Sequence, residues 1–369
     1  MTKDISILIV ELKENMCAEE TLEERVAVYV SAAQSTHVLT TSLCEFPIGV
    51  FSHIFLKNPN TVQGRFSMKR FIMSAIPDSV RGKGNWVIVA DGEENVVYAA
   101  RLSRAFNIPL DVAYDTTHHL APLSLLTKAM NHATSVRVSS RRVADMFVAR
   151  FPDGPSPVVL PMPFSNEEIS TVSTLTLSHI ADSSHVVGFV SDSASLGILL
   201  LAWRHVTNRY PSLRLSILVE SPHGPFRETY ALAAIAVAGF GDAVKVISCD
   251  DINRVRTLLT SARFFLHVSN HLPYGRRLVG VRAFGIPTIT VDTGVVGERI
   301  NKNTVLVCPV GDSACIAKHT LFMLDNPSVY ESLYGKNIVF DKPNTCVEML
   351  CLVWDAACAK YKDAGIRKK

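Results

Sequence analysis

Three short stretches carry side chains of a type and spacing suited to chemistry. The first, Asp115 to His119, follows the apolar run LDVAY and reads D-T-T-H-H. Imidazoles titrate near neutrality and can donate or accept a proton, or approach a polar substrate. Adjacent histidines face different ways, so only one of His118 and His119 can serve. Asp115 with the pair has metal-ligand character, but the sequence offers no second cluster to complete it and no metal is expected. The second stretch is the turn LPYG followed by Arg276 and Arg277. A helix that opens here presents free N–H groups and the positive end of its dipole, which together seat a phosphate. Gly275 allows close approach, and the arginines either add charge for a diphosphate or form a solvated helix face. The third is the loop SDSAS, in which Ser191, Ser193 and Ser195 precede a helical pattern and offer hydroxyl and backbone donors to an anion.

The elements that must position these groups alternate between strand and helix. WVIVAD, VVYAARLSRAF and LDVAYD read as strand, helix and strand, so the Asp115–His119 loop leaves the carboxyl edge of a parallel sheet, where ligands bind in open α/β folds. HVVGFV, GILLLAWRHVTNRY and SLRLSILVE form a second such unit around the serine loop. RFFLHVS, the LPYG turn, a helix from Arg276 to Phe284 ended by Gly285 and Pro287, and the strand PTITVD form a third. Upstream, ISILIVEL is a first strand, a helix carries Leu22, Val26, Val28, Tyr29 and Ala32, and STHVLTTSL is a second strand. FPIGVFSHIFL is an element of open type, and FSMKRFIMSAI has helical spacing. TSVRVS is a short strand before a helix that Ser139 or Ser140 caps, and Asp250 and Asp251 read as caps.

Composition limits the function classes. The chain has 369 residues, enough for two domains, with 48% apolar and 19% charged residues. No apolar run reaches the roughly 18–20 residues of a spanning helix, and the N-terminus fits a first strand better than a signal peptide. A net charge of +3 does not call for nucleic acid, and the basic residues at SSRRV and IRKK read as solvated surface. Eight cysteines with no C-x-x-C pair read as reduced, packed thiols, so a cytoplasmic location is expected. The Ser/Thr-rich stretch 166–184 is the expected linker between an N-terminal domain, 1–165, and a second, 185–345. A terminal helix over 346–369 is expected to pack back on the first domain through Val347, Leu350, Cys351 and Trp354.

The ordered series Ser269, Tyr274, Gly275, Ala283, Gly285, Pro287, Asp292, Gly294, Glu298 and Ile300, continued by LVCPVGDSACIAKHTLFMLDNPSVYESLYGKN, resembles the nucleotide-sugar half of the retaining GT-B glycosyltransferases, a family that includes sucrose and mannosyl transferases. The resemblance implies an α/β GT-B fold, with two Rossmann-like domains facing a central cleft. It implies transfer of a sugar from a nucleotide-diphosphate sugar, with retention, to an acceptor of open identity: glycan, protein, lipid or small molecule. No metal or other cofactor is implied. By the same resemblance Gly188, Ser191, Ser193, Ser195, Glu220, Ser269, Leu272, Pro273, Tyr274, Gly275 and Leu278 lie on the donor side, and Asp115 and Thr117 on the acceptor side. Catalytic roles fall to His118 or His119 and to Arg276 and Arg277. The chain departs from the family at four places. Leu272 and Gly280 replace two glutamates, Phe189 stands where an arginine is expected, and Ser195 or Leu196 stands near an expected lysine. The alternative reading is therefore a catalytically degenerate GT-B protein that binds a ligand or partner.

Overall fold

The computed structural model describes residues 5–11, 22–40, 50–54, 85–114, 122–160, 183–219, 228–248, 252–269, 281, 285–293, 296, 298, 304–333 and 343–366. The chain divides into two compact units, Met1–Pro163 with Asp341–Lys369, and Phe164–Phe340.

The first unit is built on β1 (Ile5–Glu11), β2 (Ser35–Thr40), β3 (Val50–Ile54), β4 (Asn85–Asp91), β5 (Leu110–Tyr114), β6 (Ser135–Val138) and β7 (Val158–Val159). They form one parallel sheet in the order β3-β2-β1-β4-β5-β6-β7. The stretch of open type thus supplies β3, while the helix expected over FSMKRFIMSAI lies outside the described residues. β1 shows why its sequence is mostly apolar. Ile5, Ile7 and Ile9 join one core cluster and Leu8 and Val10 another, so both faces are covered. Connecting helices are α1 (Leu22–Ala32), α2 (Glu93–Phe106), α3 (Leu123–Met130) and α4 (Arg141–Arg150). Ser140, rather than Ser139, caps α4, its hydroxyl accepting from the Val143 N–H at 3.3 Å. α2 ends at Asn107, whose φ of 57° is the left-handed cap a short amide side chain tolerates.

The C-terminal helix, Pro343–Ile366, belongs to this unit. Leu350, Val353, Trp354 and Cys358 line its buried stripe and join Ile7, Ile9, Val26, Tyr29, Val87 and Val89 in one cluster. Beneath it lies a buried charge network. Arg137 Nε is 2.7 Å from Asp111 Oδ2, and its Nη2 is 3.8 Å from Asp91 Oδ1. The Tyr29 hydroxyl accepts from both Arg137 Nη atoms at 3.2 Å and donates to Asp91. Trp354 Nε1 donates to Asp111 Oδ2 at 2.9 Å, and Ser135 Oγ donates to Oδ1 at 2.7 Å. Burial pulls the Arg137 guanidinium down, but Asp111, Tyr29 and Asp91 together outweigh it and hold the group well above its ordinary range.

The second unit has β8 (His185–Val190), β9 (Arg214–Val219), β10 (Val244–Ser248), β11 (Phe265–Val268), β12 (Thr288–Val291) and β13 (Leu306–Cys308). All are parallel, in the order β10-β9-β8-β11-β12-β13. Its helices are α5 (Ser193–Arg209), α6 (Glu228–Ala238), α7 (Ile252–Ser261), α8 (Ser313–Asp325) and α9 (Pro327–Leu333). Residues along β8 alternate between faces. Val186 and Val190 pack with Leu199, Trp203 and Ile316 of α5 and α8, while Val187 and Phe189 pack with Val255 and Leu259 of α7. Val281 is helical and Gly285 takes a φ of 71° before β12, the left-handed stop expected of that glycine. No helix among the described residues is long and apolar enough to cross a membrane.

Candidate functional site

Each sheet reverses its direction of strand addition once: between β1 and β4 in the first unit, and between β8 and β11 in the second. Such switch points, at the carboxyl ends of the strands, are where open α/β sheets bind ligands. In the second unit the residue after β8 is Ser191 and the residue after β11 is Ser269. Though 78 positions apart, their hydroxyl oxygens lie 2.6 Å from each other. Ser191 also donates to Asp192 Oδ2 at 3.1 Å.

Asp192 governs the start of α5. It is the N-cap in extended backbone, with Oδ1 accepting from the Ser195 N–H at 2.7 Å and Oδ2 from the Ser195 hydroxyl at 2.9 Å. Its negative charge sits against the positive end of a long helix. The Asp192 carboxylate thus takes up one backbone N–H and one hydroxyl of the helix start, both from Ser195. Ser195 is fully buried and committed to the cap, whereas Ser193 is exposed in the first turn.

No family model matches the sequence, and no curated protein matches it. Solved structures do. Sucrose-phosphate synthase of Thermosynechococcus elongatus matches with a TM-score of 0.66 at 15% identity, over 98% of this chain and 98% of that one. HepE of Anabaena, solved with UDP and glucose, matches with a TM-score of 0.63 at 13% identity over 100% of both chains. A glycosyltransferase of Rickettsia africae matches with a TM-score of 0.63 at 11% identity, over 98% of this chain and 99% of that one. The chain has the GT-B fold.

Of the residues that the GT-B resemblance assigns to the donor side, the structure describes Gly188, Ser191, Ser193, Ser195 and Ser269. It brings Ser191 and Ser269 together and ties Ser195 to Asp192. Gly188 has a packing reason of its own: a Cβ there would stand 2.9 Å from Leu199 Cδ2 and 3.4 Å from Leu215 Cδ1. Phe189, at the position of an expected cation, is buried and stacks on His267 with ring centroids 5.5 Å apart, so its side chain belongs to the core. Glu220, Leu272, Pro273, Tyr274, Gly275, Arg276, Arg277 and Leu278 lie outside the described residues, as do Asp115, Thr117, His118 and His119. Leu272 and Gly280, where glutamates were expected, lie outside them too.

Sequence reading passed over Asp192, although an aspartate three residues before a serine at the head of an apolar helix is a capping signal. Side chains able to hold a metal, Cys308, Cys315 and His319, stand on β13 and α8. Among the described strands β13 is at the edge, with β12 between it and β11.

Proposed function

We propose that this protein is a glycosyltransferase that moves a sugar from a nucleotide-diphosphate sugar to an acceptor. The observation that carries the reading is the GT-B likeness over nearly the whole chain, including to HepE solved with UDP-glucose, at 97% of this chain and 98% of that one. The hydroxyl pair Ser191–Ser269, set at the topological switch of the second sheet, supports it as a polar feature where such folds place ligands.

In this reading the donor diphosphate rests on N–H groups around Tyr274, Gly275 and Arg276. Arg276 or Arg277 takes up charge on the leaving phosphate, the kind of stabilisation that dominates many transfers. Transfer is proposed to retain configuration. The bond from the anomeric carbon to phosphate oxygen breaks, the acceptor oxygen bonds on the same face, and the acceptor proton passes to the departing phosphate. No metal takes part in this scheme. The roles of His118 or His119, and of Asp115 and Thr117 toward the acceptor, belong to the same proposal.

A specific observation also favours the second reading, a GT-B protein that binds without turning sugar over. The start of α5 carries the Asp192 carboxylate, and Phe189 is committed to the core where a cation would serve a diphosphate. Thermal shift with UDP, GDP and ADP sugars separates the readings, because a ligand at 100 times its dissociation constant adds about 2.7 kcal/mol of stability. A shift with one nucleotide class, and product formation when acceptors are added, is the expected result. A shift without turnover across acceptor classes would favour the binding protein, and no shift with any nucleotide would remove the transferase reading. Arg276→Ala or Arg277→Ala should weaken nucleotide binding about tenfold, a loss of about 1.4 kcal/mol.

A further inference from the structure

Cys308, Cys315 and His319 form a constellation that the transfer reaction does not use. Cys308 is the last residue of β13, and Cys315 and His319 lie four apart on α8, on one face of the helix. Their ligand atoms, two sulfurs and an imidazole nitrogen, all lie within 4.8 Å of one another. Cys308 is buried, while Cys315 and His319 are half-buried on the side where solvent reaches the helix.

We propose that these three side chains bind a zinc-class metal ion that clamps the edge strand β13 to helix α8. The chemistry of the donors selects the ion. Two thiolates and one imidazole are the ligand set of tetrahedral zinc, with bonds of about 2.3 Å to sulfur and 2.0–2.1 Å to nitrogen. Hard ions such as magnesium or calcium require oxygen ligands, and this set provides none. In a tetrahedral complex two sulfurs on zinc stand roughly 3.8 Å apart, as those bond lengths require. Donors already within 4.8 Å thus need only small side-chain rotations. Charge also balances. Two thiols each release a proton as the divalent ion binds, the imidazole stays neutral, and the loaded site carries no net charge, which suits a half-buried position. The fourth coordination position falls to a water from the exposed side.

The backbone around the site is already held. The Cys308 carbonyl accepts from the Asp292 N–H at 2.9 Å, and Asp312 caps α8 by accepting from the Cys315 N–H at 2.9 Å. The backbone of Cys308 is therefore held from the β12 side and that of Cys315 from the helix start. An ion joining them would secure the sheet at its outermost strand among the described residues, which pairs there with β12 alone.

The test uses the full chain, reduced with a phosphine and stripped of metal with a chelator, then titrated with Co²⁺ as a spectroscopic stand-in for zinc. The expected result is uptake of one equivalent with thiolate-to-cobalt charge-transfer bands and the visible bands of tetrahedral cobalt, both abolished by Zn²⁺. Zinc should also raise the melting temperature of the stripped protein. Cys315→Ala and His319→Asn should each weaken cobalt binding at least tenfold, while Cys351→Ala, in the C-terminal helix, leaves it unchanged. Absence of charge-transfer bands in the unmodified chain overturns the proposal, as do bands of equal affinity in His319→Asn. Should Cys315→Ala fail to fold, His319→Asn decides the matter, because it keeps both sulfurs and removes only the nitrogen ligand. None of these readings involves nucleotide or sugar, so the outcome is independent of the proposed transfer activity.

Discussion

Replacing Arg137 with methionine is the perturbation with the largest effect that the structure lets one work out. The guanidinium is 4% exposed and faces two carboxylates, Asp111 at 0% and Asp91 at 5% side-chain exposure. Methionine fills similar volume without a charge, so Arg137→Met removes the cation from both buried acids and leaves in place the neutral donors Ser135 and Trp354 on Asp111 and Tyr29 on Asp91. Breaking a buried ion pair from one side typically costs about 3–5 kcal/mol. For a unit of this size that lowers the melting temperature by roughly 6–20 °C. Urea unfolding followed by tryptophan fluorescence in a Trp203→Phe background measures it, because Trp86 and Trp354 lie in the first unit and Trp203 in the second. Adding Asp111→Asn should recover at least half of the loss, since the excess charge goes with it while the amide still accepts from Trp354. A cost below about 1 kcal/mol for Arg137→Met, or an Asp111→Asn that adds to the loss, would refute the view that these charges hold one another in place.

Gly188→Val should destabilise the second unit by about 1–3 kcal/mol through crowding against Leu199 and Leu215, and Leu199→Ala in the same chain should return part of that; a wild-type denaturation midpoint would contradict the packing argument. Asp192→Asn keeps a competent cap but removes the negative charge at the start of α5, so UDP affinity by calorimetry should rise about two- to fivefold if donor phosphate approaches that helix end; unchanged affinity places the phosphate elsewhere. Burial, with Lys245 as the charged group acting on it, lowers the pKa of His185, whose Nε2 is 2.7 Å from Ser216 Oγ. The folded state therefore holds fewer protons than the unfolded one below about pH 6.5, so this contribution is complete above that pH and is lost as pH falls toward the lowered value. His185→Gln should flatten that acid limb, read by Trp203 fluorescence, and an identical pH profile would count against it.

Much of the fold could be read along the chain because each strand carries its own evidence. Strands buried on both faces must be nearly continuous apolar runs, as in ISILIVE and HVVGFV, and helices between them must show an apolar stripe and a stop, as at Gly285. α6 escaped that logic: ETYALAAIAVA has no polar stripe, so its periodicity carries no signal. β3 stayed open for a related reason, since a stretch as short as VFSHI is too brief for its periodicity to tell strand from helix.

The candidate site divides the same way. Types and order of residues marked Ser191 and Ser269 as donor-side positions, and chain position alone put them after β8 and β11. That their hydroxyls meet depends on β8 and β11 pairing side by side, a long-range choice no local pattern records. Asp111 in LDVAY and Arg137 in SVRV were visible only as charges inside apolar strands; β5–β6 pairing and the C-terminal helix make them a network. Cys315 and His319 stand at the four-residue spacing of a helical ligand pair, but Cys308 joins them only because β13 runs beside α8. Burial, periodicity and caps are local free energies and are written residue by residue, whereas which polar groups end up facing one another is settled only when distant strands choose their neighbours.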